Sequence, residues 1–172
     1  MITDIQSIER LSRERRDENW EFRYYLKNTN ISLENIDNAV HDLYREISAK
    51  IDCQKCANCC IVSSPVLKKA DHLRLAKHIE MRPADFRNKY LVPDRENEGY
   101  MFRQMPCPFL RGKSCSVYDQ CPTDCRSYPH LHKNNFVFRL AQAVENCSIC
   151  PIVFNVYEEL KTRFWKRRFR LL

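Results

Sequence analysis

Cys53-Gln54-Lys55-Cys56-Ala57-Asn58-Cys59-Cys60 places four thiols within eight residues, and six more cysteines follow in the second half of the chain. A segment this dense in thiols cannot be an ordinary apolar element. Thiolates bind soft or borderline metals, and several at short spacing close a coordination sphere with little added chain entropy. Ten cysteines are about 6% of the 172 residues, below the roughly 8–10% of small disulfide scaffolds. Grouped in this way, they point to metal rather than to disulfides.

The compartment read from the chain agrees. Residues 1–20 are charged throughout (Glu9, Arg10, Arg13, Glu14, Arg15, Arg16) and hold no apolar stretch of signal-peptide type. No apolar run approaches the roughly 18 residues of a membrane span. The expectation is a soluble cytoplasmic protein, whose reducing surroundings leave thiols available to metal. Glycine is nearly absent, with only Gly99 and Gly112. A glycine-rich phosphate cradle, a dinucleotide fingerprint or a usual methyl-donor loop needs backbone that glycine alone permits. The net charge of +7 is concentrated in a tail, where Lys161, Arg163, Lys166, Arg167, Arg168 and Arg170 stand without an acid. Interleaved with Phe164, Trp165 and Phe169, residues 161–172 could touch nucleic acid or an anionic membrane surface. The favoured reading is a terminal helix whose aromatics pack inward and whose basic face is solvated.

Residues 3–28 read as helical and end at Asn28-Thr29-Asn30. Ser32 is an N-cap candidate for a helix in which Leu33, Ile36, Val40, Leu43, Tyr44, Ile47 and Ile51 share one face and deliver the chain to Cys53. Ala70 to Met81 reads as a helix, and Pro83 suits the first turn of another through Tyr90. Residues 100–105 and 115–118 read as short strands turning at Gly112, with Cys107 and Cys115 facing one another across the hairpin. Residues 121–135 show no periodicity. Phe136 to Val144 reads as the best strand, and Cys147-Ser148-Ile149-Cys150-Pro151 opens a final helix with Val153, Val156, Tyr157 and Leu160 on one face. The expected fold is α+β and mainly helical: a small metal-stabilised domain with N-terminal helices, short strands and irregular cysteine-bearing loops. Its parts are an N-terminal helical segment (1–50), a cysteine-cluster domain (51–160) and the basic tail (161–172).

A helical 53–60 puts Cys53, Cys56 and Cys60 on one face. A wrapped loop lets Cys53, Cys56 and Cys59 grip one centre, as in bacterial ferredoxins. The adjacent pair Cys59-Cys60 suits two centres, since neighbouring side chains diverge; a simply buried Cys60 is the alternative. Cys107, Cys121 and Cys150 each precede proline, as does the remote ligand of ferredoxin-type sites. A single cysteine is credible as a small buried apolar residue, above all Cys60, Cys121 or Cys147. Ten in these groupings are not. His130 and His132 suit an acid/base pair or reserve metal ligands, although alternating histidines after proline are more often ordinary exposed residues.

With its cysteines placed, the chain resembles the CxxCxxCC cysteine-cluster family (YkgJ-type, zinc- or iron-chelating proteins) from about Cys53 to Pro129. The resemblance rests on Cys53-x2-Cys56-x2-Cys59-Cys60, Cys107-Pro108-Phe109-Leu110, Cys115-x-Val117-Tyr118 and Pro122-x2-Cys125-Arg126-x-Tyr128-Pro129. It implies Cys53, Cys56, Cys59, Cys60, Cys107, Cys115 and Cys125 as the ligand set. Where the family more often carries arginine, this chain has Cys121, an added ligand or a neighbour of the ligands. Cys147 and Cys150 lie beyond the shared core, placed to complete a site short of ligands. Arg126 is expected to offset the negative charge of a thiolate site by hydrogen bonding to sulfur. The resemblance implies a metal-binding protein with one or two centres, an iron–sulfur cluster ahead of Zn2+, in electron transfer, metal handling or support of a partner-binding surface. The rival is an enzyme, a methyltransferase or an oxidoreductase component that needs a partner: the flagellin lysine N-methylase carries the same cluster, though this chain is short for that role and shows no methyl-donor site.

Overall fold

The computed structural model describes residues 1–95 and 98–166, with Lys166 by its backbone alone, and divides the charged N-terminal stretch into two helices. Asp4 accepts a hydrogen bond from the Ser7 amide (2.8 Å) and starts α1, Ile5–Glu14. The chain turns at Arg15 (φ −100°, ψ 18°) into α2, Arg16–Lys27. Ser32 caps α3, Leu33–Ser48, as its hydroxyl accepts from the Asn35 amide at 3.2 Å. Two compact units result: Met1–Asp52 together with the chain from Pro129 onward, and Cys53–Tyr128. Residues 129–160, grouped by sequence with the cysteines, thus belong with the N-terminal helices.

In the helical unit, Asn135 to Asn146 corrects the strand expected at Phe136–Val144. A 3₁₀ turn at Phe136–Arg139 runs into α9, Leu140–Asn146. The Asp37 carboxylate of α3 accepts from the Asn135 amide (2.6 Å) and the Phe136 amide (2.9 Å), which starts the helical turn. Phe136, Val137, Leu140, Ala143 and Val144 are buried at helical steps. The same aromatic and β-branched residues would suit a strand, so tertiary capping decides between two readings. α10, Pro151–Lys161, begins with proline in its first turn and is buried on nearly every side. Phe22 of α2 meets Tyr157 edge-on, ring centroids 5.3 Å apart.

The tail packs aromatics inward as expected, but Lys161 is not part of a solvated basic face. Lys161 is 0% exposed, held by Glu158 (2.5 Å), Glu18 (3.1 Å) and the Asn19 side-chain oxygen (2.9 Å). Arg15 also pairs with Glu158. Trp165 stacks on Phe22 at 5.8 Å, and Tyr25 donates to the Phe164 carbonyl. Two of the three tail aromatics thus adjoin α2; Phe169, Arg167, Arg168 and Arg170 lie outside the described residues.

The cysteine unit opens with two short helices, α4 (Cys53–Cys56) and α5 (Asn58–Val62). α6, Lys69–His78, and α7, Pro83–Tyr90, follow. Two antiparallel pairs of short strands complete it: β1 (Leu91–Pro93) with β2 (Tyr100–Phe102), and β3 (Leu110–Arg111) with β4 (Ser114–Cys115). The last element is the short helix α8, Thr123–Ser127. Leu67, Leu75, Ala76, Phe86, Leu91, Phe102, Phe109 and Val117 make a separate core here. With short strands and many helices, the chain is α+β and mainly helical, as expected.

Gly99 (φ 150°) allows β2 to reach Leu67, whose amide donates to the Tyr100 carbonyl at 2.7 Å. A Cβ at Gly99 would stand 2.8 Å from the Leu67 carbonyl oxygen. Gly99→Ala is therefore expected to destabilise this unit by more than about 1 kcal/mol, since the backbone conformation is also wrong for alanine. Urea unfolding followed in the aromatic near-ultraviolet measures it; an unchanged midpoint contradicts this account of the turn.

Candidate metal centre

Residues 53–60 are neither one helix nor a wrapped loop. α4 and α5 are separated by Ala57 in the left-handed conformation (φ 53°). Alanine there costs roughly 1–2 kcal/mol, and only its methyl group must fit a buried position. The reversal carries Cys53 and Cys56 on one turn and Cys59 and Cys60 on the next. The adjacent thiols do not simply diverge: Cys59 hydrogen-bonds with the Cys60 sulfur and lowers the Cys60 thiol to about 7.

Cys60 is where the later cysteines arrive. Its carbonyl accepts from the Cys107 amide at 2.8 Å, tying the two segments through backbone. Cys107 lies just ahead of the β3–β4 hairpin, and its carbonyl accepts from Leu110 at 3.0 Å. Gly112 (φ 60°) makes the turn as expected, but the hairpin pairs Cys115 with Leu110 rather than with Cys107. The reason is register: only Leu110–Arg111 and Ser114–Cys115 pair around the tight turn.

The electrostatics map which sulfurs share a neighbourhood. Burial pushes the Cys107 thiol up to about 11, with Cys60 and Cys115 adding repulsion. Burial likewise raises Cys115, helped by Cys60 and Cys121. Cys125 is raised by burial and then by Cys121, Cys60, Cys107 and Asp124. Cys60 thus acts on Cys107, Cys115 and Cys125, and Cys121 on Cys115 and Cys125. Thiolates in such a group repel, and a bound cation removes that penalty as it displaces their protons.

Asp71 and Arg74 hold the segment bearing Cys121 and Cys125. Arg74 donates to the Cys121 carbonyl at 2.8 Å and to the Gln120 carbonyl at 3.4 Å. Asp71, 1% exposed, accepts from the Thr123 amide (3.0 Å) and hydroxyl (2.8 Å), from Arg74 (2.8 Å) and from the Lys68 amide (3.0 Å). Asp124 accepts from the Val66 amide at 3.1 Å. The sequence reading overlooked all three. An acid in the first turn of α6, three residues before an arginine, was a local signal for a helix pair (i, i+3). Its reach to Thr123 had no signal at all.

The remaining candidates fall elsewhere. Cys53 is exposed, and Cys56 is half-buried like Cys59, Cys60, Cys107, Cys115 and Cys125. Cys121 is buried. Arg126 is exposed and donates to the Asp119 carbonyl at 2.8 Å. Cys147 and Cys150 belong to the helical unit, buried where α9 ends and α10 begins. Burial, then Glu158, raises the Cys147 thiol against the pull of Lys161. His130 and His132 also lie in the helical unit.

Among the described residues, no three His, Cys, Asp or Glu side chains are yet arranged around one ion. The donors nevertheless fit zinc or iron in kind: soft sulfurs, half-buried and mutually repelling, on backbone segments tied together at Cys60 and Cys107. Among the described residues no single helix is long and apolar enough to cross a membrane. A family model, CxxCxxCC, described as "Putative zinc- or iron-chelating domain", matches residues 52–151. Searches of curated proteins and of solved structures give no match.

Proposed function

This chain belongs to the CxxCxxCC family of zinc- or iron-chelating domains, and from that membership we propose that its cysteine unit binds metal through thiolates, at one or two centres. The observation that carries the reading is the gathering of Cys107, Cys115 and Cys125 around Cys60, whose field reaches all three and whose carbonyl receives the Cys107 amide. Cys53, Cys56 and Cys59 join them as ligands, and Cys121 is an added donor or a close neighbour of the ligands. Cys147 and Cys150 are left out of the set, as buried thiols at a helix junction of the other unit. Thiolates at this density belong to a reducing, cytoplasmic setting.

An iron–sulfur occupant ranks ahead of zinc, because Cys107 and Cys121 each precede a proline that biases the ligand to extended backbone. Bound iron–sulfur would supply one-electron chemistry; bound zinc would supply structure alone. In either case the residues do the same work. Cys107 is positioned by the Cys60 carbonyl, and α6 holds Cys121 and Cys125 through Arg74 and Asp71.

Protein purified without oxygen should carry stoichiometric metal by elemental analysis. Visible absorption bleached by dithionite selects iron–sulfur, and a colourless zinc protein reverses that order. Folded protein with metal well below one equivalent contradicts the proposal.

A further inference from the structure

The helical unit holds three histidines, His41, His130 and His132, near one stretch of α3. Asp37, His41 and Tyr44 sit three and four residues apart on α3 and so share one face. The chain from His130 to Phe136 lies along that face. Asp37 accepts the Asn135 and Phe136 amides at 2.6 and 2.9 Å, and the Tyr44 ring lies 6.2 Å from the His132 ring. His41 lies between those two attachments. His132 accordingly stands within the fields of both His41 and His130.

The loop is built rather than loose. Arg139 donates to the carbonyls of Lys133 and Asn134 (each 2.6 Å), Asn135 (3.3 Å) and His130 (3.4 Å). His130 is held at φ 63°, an unfavourable conformation for a residue other than glycine. Strained residues of this kind concentrate at ligand clamps and active sites. His41 contributes a second observation: its Nε2 is buried and has no hydrogen-bond partner. A buried ring nitrogen without a partner is destabilising, and an ion or water is what ordinarily satisfies such an atom.

We propose that His41, His130 and His132 form a second metal site, an imidazole site for a borderline divalent transition ion of the Zn2+ and Co2+ class. Imidazole suits these ions, and three such ligands leave positions for water or a substrate. Lys133 and Arg139 oppose a cation here; Asp37 faces Arg139 and offsets its charge. The rings do not yet converge on one point; His132 is exposed, and its ring would shift from its present place beside Tyr44 on binding the ion.

The test uses full-length protein whose thiolate centre is already filled with zinc. One further equivalent of Co2+ should bind and give visible d–d absorption with no sulfur-to-cobalt charge-transfer band in the near ultraviolet. His132→Ala and His41→Gln should each weaken that binding by more than the roughly 10–100-fold that loss of an outer hydrogen-bond partner costs. His78→Ala, which alters an exposed histidine of the cysteine unit outside either site, should leave it unchanged. Where His41→Gln fails to keep its helical circular dichroism, His132→Ala, which alters an exposed ring, decides. Three results overturn the site: no cobalt bound beyond the thiolate centre, a sulfur charge-transfer band on the added cobalt, or binding that survives His132→Ala unchanged.

Discussion

Cys56→Ser and Cys107→Ser are each expected to lose metal and to unfold the cysteine unit. Serine replaces a soft donor with a hard one that zinc and iron hold weakly in such a set. A structural zinc contributes about 10–16 kcal/mol in small finger peptides, while a whole domain is stable by only about 5–15 kcal/mol. Losing a contribution of that size would use up the net stability of a domain, so the core of Leu67, Leu75, Phe86, Phe102 and Phe109 would not hold the fold by itself. At Cys107 the amide bond to Cys60 remains possible in the variant, so the loss isolates the sulfur. Cys121→Ser should be milder, with most of the metal retained, because Cys121 stands where the family more often has arginine. Elemental analysis and near-ultraviolet circular dichroism on anaerobic samples make the comparison. Equal loss of metal in all three variants would mean that Cys121 is a full ligand and that the core set is misdrawn.

The second large effect is expected at Asp71. Its carboxylate satisfies four donors from two segments, its own helix and the Thr123 turn between Cys121 and Cys125. Asp71→Ala leaves the Thr123 and Lys68 amides without this acceptor and Arg74 without its ion pair. Loss of a buried charge partner costs about 3–5 kcal/mol; Arg74 is one-third exposed and can rehydrate, so the lower end of that range applies. Asp71→Asn, which keeps one acceptor oxygen, should cost clearly less. Burial raises the Asp71 carboxyl, but its bonds to Thr123, Lys68 and Arg74 outweigh burial and hold it below the ordinary value. A carboxyl depressed on folding lends stability that is complete above its unfolded value, about 3.9. That stability is lost as pH falls through the lower folded value. The wild-type unit should therefore weaken below about pH 4, and Asp71→Asn should show a flatter acid limb. Urea midpoints measured from pH 3 to pH 7 test both points; parallel curves for the two proteins refute the role given to Asp71.

Four of the helices could be read from the chain because their signals are local. Ser32 with the apolar face of α3, Pro83 at the start of α7, Ala76 and Ile79 on the inward face of α6, and Pro151 opening α10 all act within a turn or two of themselves, although Leu73, expected inward on α6, is exposed and Leu75 is buried instead. The segment from Phe136 to Val144 could not be read correctly. Its residues suit a strand or a helix, and the arbiter, Asp37, lies about a hundred positions earlier. By sequence Lys161 is one more charge in a basic tail; in the fold Glu18, Asn19 and Glu158 enclose it.

The sequence alone determined how many thiols there are, the order in which they come, and the near absence of glycine that excludes phosphate-cradling loops. Metal-binding chemistry follows from those alone, because a ligand's softness belongs to its atoms and not to its surroundings. Which sulfurs meet was decided only in three dimensions. Ala57 reverses the chain between Cys56 and Cys59, the Cys60 carbonyl receives Cys107, and Asp71 places Thr123 between Cys121 and Cys125. Each of those depends on a backbone reversal or on a hydrogen bond between residues roughly fifty apart, and the residue spacing of a single segment carries no trace of it.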